Sequence, residues 1–159
     1  MIIPASIELE RIDPNPWQPR QGEDSEHIRQ VAESIVAQGL MQYPVGRAVP
    51  VDPQGRKPPR IQLAFGHTRL AAHRLIAETG LGKLDETERA YYRKMHVVVR
   101  PLTDNDMFEM GIAENVSRKD LTPIEEARAM KRYRDEFKKT SAEVGKLFGL
   151  SESAIRNKI

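Results

Sequence analysis

Apolar positions in the first hundred residues switch between two periods. Ile7-Glu8-Leu9-Glu10-Arg11-Ile12 alternates apolar and polar, the pattern of a half-buried strand. Asp13-Pro14-Asn15-Pro16-Trp17-Gln18-Pro19-Arg20 follows, and its three prolines forbid regular structure and predict an extended loop. Ile28, Val31, Ala32, Ile35 and Val36 fall at helical spacing, so residues 25–38 are predicted as an amphipathic helix stopped by Gly39. Residues 44–51 and 60–65 read as strands, with Asp52-Pro53-Gln54-Gly55 as a turn between them. A helix is expected from Gly66, carrying Leu70, Ala71, Leu75 and Ile76 inward. The polar stretch 80–95, with Tyr91 and Tyr92, reads as a short helical insertion. Val97-Val98-Val99 reads as a buried strand ended by Pro101.

Beyond residue 103 the pattern is helical. One helix is expected over residues 107–115. Another starts with Pro123 just inside it and runs to about Phe137, with Ile124, Ala127, Met130 and Tyr133 on one face. Thr140-Ser141-Ala142-Glu143 is a capping box ahead of Val144, Leu147 and Phe148. Gly149 then makes a turn, Leu150 fills it, and Ser151 caps a second helix containing Ala154 and Ile155. Gly145 is small where that helix must pass close. This is the pattern of a helix-turn-helix, with the second helix available for a DNA major groove and Ser151, Ser153, Arg156, Asn157 and Lys158 as its exposed donors. The expected organisation is an α/β domain over residues 1–103 and an all-α module over 104–159. The helix-turn-helix lies at about 140–159 and looks truncated, because the chain stops inside the second helix.

Composition narrows the chemistry. Among 159 residues there is no cysteine, which excludes disulfides, thiolate zinc sites and cysteine nucleophiles. No apolar run approaches the ~20 residues of a membrane helix, and no signal peptide is visible, so a soluble, cytoplasmic protein is expected. The net charge of +2 is unevenly spread. Residues 1–115 hold 14 Lys and Arg against 16 Asp and Glu, whereas residues 116–159 hold 11 against 7. The basic excess therefore sits with the helix-turn-helix, where a nucleic acid would be met.

Two further segments carry chemistry. In Phe65-Gly66-His67-Thr68-Arg69 a glycine between strand and helix lets a ligand approach the backbone. The free N–H groups of the first helical turn favour an anion there, and Arg69 adds a cation one turn in. The bland reading is an ordinary turn with a solvated arginine. His67 and His73 could serve as ligands or acid–base groups, but no cluster around them has metal spacing. In Glu114-Asn115-Val116-Ser117-Arg118, Glu114 offers a hard oxygen and Asn115 an amide carbonyl, enough for a Mg²⁺ that takes one or two protein ligands. The same stretch also reads simply as a helix end, followed by the Thr122-Pro123-Ile124-Glu125 cap.

Assembled in order, these motifs resemble the ParB family of DNA-partitioning proteins over nearly the whole chain. Asn15-Pro16-Trp17-Gln18-Pro19-Arg20 is similar to the family's Asn-Pro-x-Gln-Pro-Arg box, and Gly39-Leu40-Met41-Gln42 to its Gly-Leu-x-Gln-Pro segment. Gly66-His67-Thr68-Arg69 stands in its Gly-Glu-Arg-Arg phosphate box, and the Glu114–Arg118 stretch matches its Glu-Asn-x-x-Arg motif closely. The resemblance implies a ParB/sulfiredoxin-like domain with a small mixed sheet, followed by the helix-turn-helix. It implies CTP and Mg²⁺ as cofactors and nucleotide contacts from Gln18, Arg20, Gly39, Leu40, Gln42, Gly66, His67, Thr68, Arg69, Glu114, Asn115 and Arg118, with Glu114 and Asn115 serving the metal. It further implies a palindromic DNA site, a homodimer closed by nucleotide, a ParA-type ATPase partner, and a nucleoid- or plasmid-associated location, in partitioning or in transcriptional regulation.

The chain departs from the family at several places. His67 replaces the Glu linked to metal binding and hydrolysis, so at most a slow CTPase is expected. Thr68 replaces an Arg, and Tyr43 intervenes between Gln42 and Pro44 at the base segment. No counterpart of the family's usual partner-ATPase peptide is expected before Ile7, and none of its C-terminal dimerisation domain within these 159 residues. Sulfiredoxin chemistry needs a cysteine and is excluded. A nucleotide-dependent enzyme on the same core, a free-serine kinase or a nuclease, is the alternative, and a DNA-docked scaffold without nucleotide is a third reading.

Overall fold

The computed structural model describes residues 3–17, 24–118 and 121–159, with Ser117 and Arg118 described for backbone only. It divides into two compact units, Met1–Pro14 with Gly22–Pro101 and Asn15–Gln21 with Leu102–Ile159.

The first unit is a five-stranded mixed sheet in the order β1-β5-β3-β4-β2, with helices packed on it. Its strands are β1 (Ala5–Glu8), β2 (Ile12–Asp13), β3 (Val45–Val49), β4 (Arg60–Phe65) and β5 (Lys94–Val99). β1 runs antiparallel to β5 and β3 antiparallel to β4, whereas β3–β5 and β2–β4 are parallel. The alternating stretch 7–12 is not one strand, contrary to expectation. A 3₁₀ turn over Leu9–Arg11 breaks it, and its two halves pair at opposite edges of the sheet. Ile7, Leu9 and Ile12 are buried in one core either way, which is why alternation could not reveal the break. Three residues reach at most about 10 Å, so the two edges come close at this end and the sheet is curled. Arg60 fixes the crossing, donating from Nε and Nη2 to the Asp13 carboxylate at 2.7 and 2.8 Å and from Nη2 to the Glu10 carbonyl at 2.8 Å. That guanidinium holds the Asp13 carboxyl below the usual carboxylate range.

Helix α1 (Ser25–Gln38) is capped by Asp24, whose carboxylate accepts from the Glu26 and His27 amides, and it ends at Gly39 with φ +81°. Its Ala32 and Ile35 pack on Ala72 and Ile76 of α2 (His67–Thr79). The buried face of α2 is Leu70, Ala72, His73, Ile76 and Ala77, rotated from expectation: Ala71 and Leu75 are only half-buried. His73 is buried, and its Nδ1 lies 3.4 Å from the Tyr92 carbonyl. The insertion forms a 3₁₀ turn, Gly80–Gly82, and the short helix α3 (Glu86–Tyr91).

The second unit is helical: α4 (Asp104–Arg118), α5 (Pro123–Glu136), α6 (Ser141–Phe148) and α7 (Glu152–Lys158). Phe108 and Ile112 of α4, Met130 and Tyr133 of α5, Val144 and Phe148 of α6 and Ile155 of α7 share one core. Phe108 stacks on Tyr133 with ring centroids 5.0 Å apart. The buried face of α5 is Ala129, Met130 and Tyr133; Ile124, expected on it, is exposed in the first turn.

Candidate nucleotide- and DNA-binding sites

The junction between β4 and α2 is the more constrained candidate. Gly66 has φ +101° in the left-handed region, and a Cβ on it would lie 2.6 Å from the Pro44 Cβ. Both facts exclude a side chain, so the backbone turns tightly here and the first turn of α2 has no capping side chain at Gly66. Arg69, one turn in, donates from Nη2 to the Gln42 Oε1 at 2.7 Å. The structure thus joins two of the candidate segments, the base segment at Gln42 and the phosphate box at Arg69. His67 and Thr68 are half-buried in the first turn. Burial pushes the His67 imidazole down to about 4, so it is neutral at pH 7 and leaves Arg69 as the fixed charge of the box.

Gly39 and Leu40 belong to a concave part of the first unit. They line a cavity of about 540 Å³ that also touches His73, Tyr91, Tyr92, Lys94 and His96. Tyr43 is exposed, with its ring 6.0 Å from that of His96. Gln18 and Arg20 lie outside the described residues, as does the side chain of Arg118.

In the second unit Glu114 is half-buried on α4, and the buried Asn115 donates from Nδ2 to the Gly111 carbonyl at 3.0 Å. With the amide nitrogen turned onto the helix backbone, the carbonyl oxygen is the part of Asn115 that suits a hard cation. Among the described residues no group of three or more His, Asp or Glu could hold a metal ion.

The helix-turn-helix is built as its spacing predicts. Thr140 accepts from the Glu143 amide and Glu143 closes the capping box on Thr140. Gly149 adopts φ +71°, and the Ser151 hydroxyl accepts from the Ala154 amide at 3.1 Å. A Cβ on Gly145 would meet the Leu150 carbonyl oxygen at 2.4 Å, which is the close passage inferred for that glycine. Ser151, Ser153, Arg156, Asn157 and Lys158 are all exposed, whereas Ile155 between them is buried.

Three features were missed by sequence reasoning. Pro44 closes over Gly66; Asn15 and Trp17 pack into the helical unit; and Glu152 pairs with Arg156 on α7. Only the last had a local signal, acid and base four residues apart.

Residues 2–116 match the family model of the ParB N-terminal domain and residues 119–159 that of the ParB HTH domain. The chain is 30% identical over 152 residues to the probable chromosome-partitioning protein ParB of Xylella fastidiosa, covering 96% of this chain and 42% of that protein. It is 32% identical over 151 residues to the chromosome-partitioning protein ParB of Myxococcus xanthus, with 95% and 44% covered. The chain thus spans less than half the length of these curated relatives. Among solved structures, the C-terminally truncated ParB of Caulobacter crescentus complexed to the centromeric parS site superposes with a TM-score of 0.62 at 26% identity, covering 97% of this chain and 69% of that one. The same protein complexed with CTP-γ-S gives 0.53 at 27% identity, with 98% and 76% covered. With both halves matched in the family's order, the chain belongs to the ParB family.

Proposed function

We propose that the chain is a sequence-specific DNA-binding protein that uses CTP as a switch, in chromosome or plasmid partitioning or in transcriptional regulation. The observation that carries it is the β4–α2 junction, where Gly66 and Pro44 set a tight turn into the N-terminus of α2 and Arg69 stands one turn in. A relative of the same fold binds CTP-γ-S, and another complex of it holds parS DNA. In this reading Gly66, His67, Thr68 and Arg69 receive the phosphates, with Gln18 and Arg20 in support. Gly39, Leu40 and Gln42 face the base, and Glu114, Asn115 and Arg118 complete the nucleotide contacts. Mg²⁺, bound through Glu114 and Asn115, supplies positive charge against the phosphates. α7 enters the major groove and Ser151, Ser153, Arg156, Asn157 and Lys158 meet the DNA, so affinity falls steeply as salt rises. Closure of a homodimer around DNA and engagement of a ParA-type ATPase are the finer parts of the same proposal, and they rest on family membership alone.

Calorimetric titration of CTP in Mg²⁺, with ATP and GTP as controls and with and without palindromic duplexes, tests it. Selective CTP binding is expected, weakened at least about tenfold by Arg69→Ala, the scale of one charge-assisted contact. DNA recognition by α7 should survive that substitution. Failure of folded protein to bind any nucleotide would leave a DNA-docking module and end the switch.

A further inference from the structure

The exposed face of α7 carries one acid. Ser151, Glu152, Ser153, Arg156, Asn157 and Lys158 are exposed, and among them only Glu152 opposes the charge that a DNA-facing surface needs. It is also the first residue of the helix, in the turn that reaches base edges when a recognition helix enters the major groove. There a carboxylate repels phosphates and lowers affinity for any duplex, so its use has to be sought in the bases.

Arg156 lies one turn further on and forms an ion pair with Glu152, Nη2 to Oε1. Both side chains stay largely exposed, at 64% and 47%. An exposed pair of this kind is weak and screened by salt, so it holds the guanidinium over the first turn yet opens readily. The two groups also have complementary targets. A guanidinium donates in bidentate fashion to guanine O6 and N7, whereas a carboxylate accepts from the cytosine N4 amino group.

We propose that Glu152 and Arg156 are the specificity-determining pair of α7, with Glu152 accepting from a cytosine amino group and Arg156 donating to a guanine edge. The DNA site then carries C·G at the position facing the start of α7 in each half-site. This rests on the DNA-binding reading above and deepens it. A pair that merely stabilises the helix makes a different prediction, because its loss weakens binding to every duplex alike.

The test is selection of duplexes from a random library by the full chain, followed by anisotropy titration of the selected and a scrambled duplex. Wild type, Glu152→Gln, Glu152→Ala and Arg156→Ala are compared, with helix content checked by circular dichroism. With either Glu152 variant, binding to the scrambled duplex should tighten a few-fold as the repulsion goes. Preference for C at one position should fall on the order of tenfold or more. Arg156→Ala should lose preference for G to a similar degree. Variants that keep every base preference of the wild type and differ only in overall affinity overturn the proposal. Wild type that binds neither selected nor scrambled duplex sinks the DNA-binding reading itself, and the proposal with it.

Discussion

At position 67 an imidazole occupies a place where a positive charge is costly. Burial pulls its pKa to about 4, against roughly 6.5 in an unfolded chain. Between those values the unfolded state binds a proton that the folded state refuses, so stability is complete above about pH 6.5 and declines as pH falls toward 4. His73 is shifted the same way, first by burial, with the Tyr92 carbonyl acting in the opposite sense. Replacing His67 by Gln removes one of these two groups. Urea denaturation at several pH values should show the wild type losing stability relative to His67→Gln as pH falls through the window. A difference between the two proteins that stays constant with pH would mean that the imidazole is not held neutral.

At the scale of elements, the α6–α7 pair turns on one backbone approach. The Leu150 amide donates to the Gly145 carbonyl at 2.8 Å, and the Leu150 carbonyl oxygen sits where a Cβ at this position would go. Neither partner is a flexible side-chain end, so Gly145→Ala should cost about 1–3 kcal/mol through overpacking. Thr140→Ala, which removes only a cap, should cost about 1 kcal/mol. Thermal melts of both variants, with DNA affinity measured alongside, check the ranking; a Gly145→Ala variant that melts and binds as wild type would show that the hairpin can open to admit the methyl group. Caps and turns such as Gly39, Thr122, Thr140, Gly149 and Ser151 were legible in the sequence because their causes lie within four residues. Gly66 was legible as a strand-to-helix junction, but not the Pro44 contact that makes glycine obligatory. The break at Leu9–Arg11, the burial of His73 and the exposure of Ile124 were not legible. Each depends on which distant element an apolar or polar residue meets, and periodicity does not carry that.

Across the whole molecule, the helical unit is discontinuous in sequence. Asn15 is buried within it, donating from Nδ2 to the Met107 carbonyl at 2.8 Å and accepting the Trp17 amide on Oδ1 at 2.9 Å. Trp17 meets Phe137 edge-on at 5.8 Å between ring centroids, and its indole N–H donates to Glu136 at 3.0 Å. This tryptophan, the only one in the chain, thus belongs energetically to helices whose first residue lies some 87 positions later, at Asp104. Truncating a half-buried indole that packs on an aromatic ring and leaves a carboxylate without its donor should cost about 2–4 kcal/mol. The loss should fall on the second unit. In hydrogen exchange of the full chain, Trp17→Ala should accelerate the amides of α4 and α5 while those of β3, β4 and β5 keep their protection, and Trp17→Phe should do so less, because the ring contact is partly retained. Acceleration confined to the sheet, or equal in both units, would mean that the segment 15–17 is held by the first unit and that the helical unit begins at Leu102.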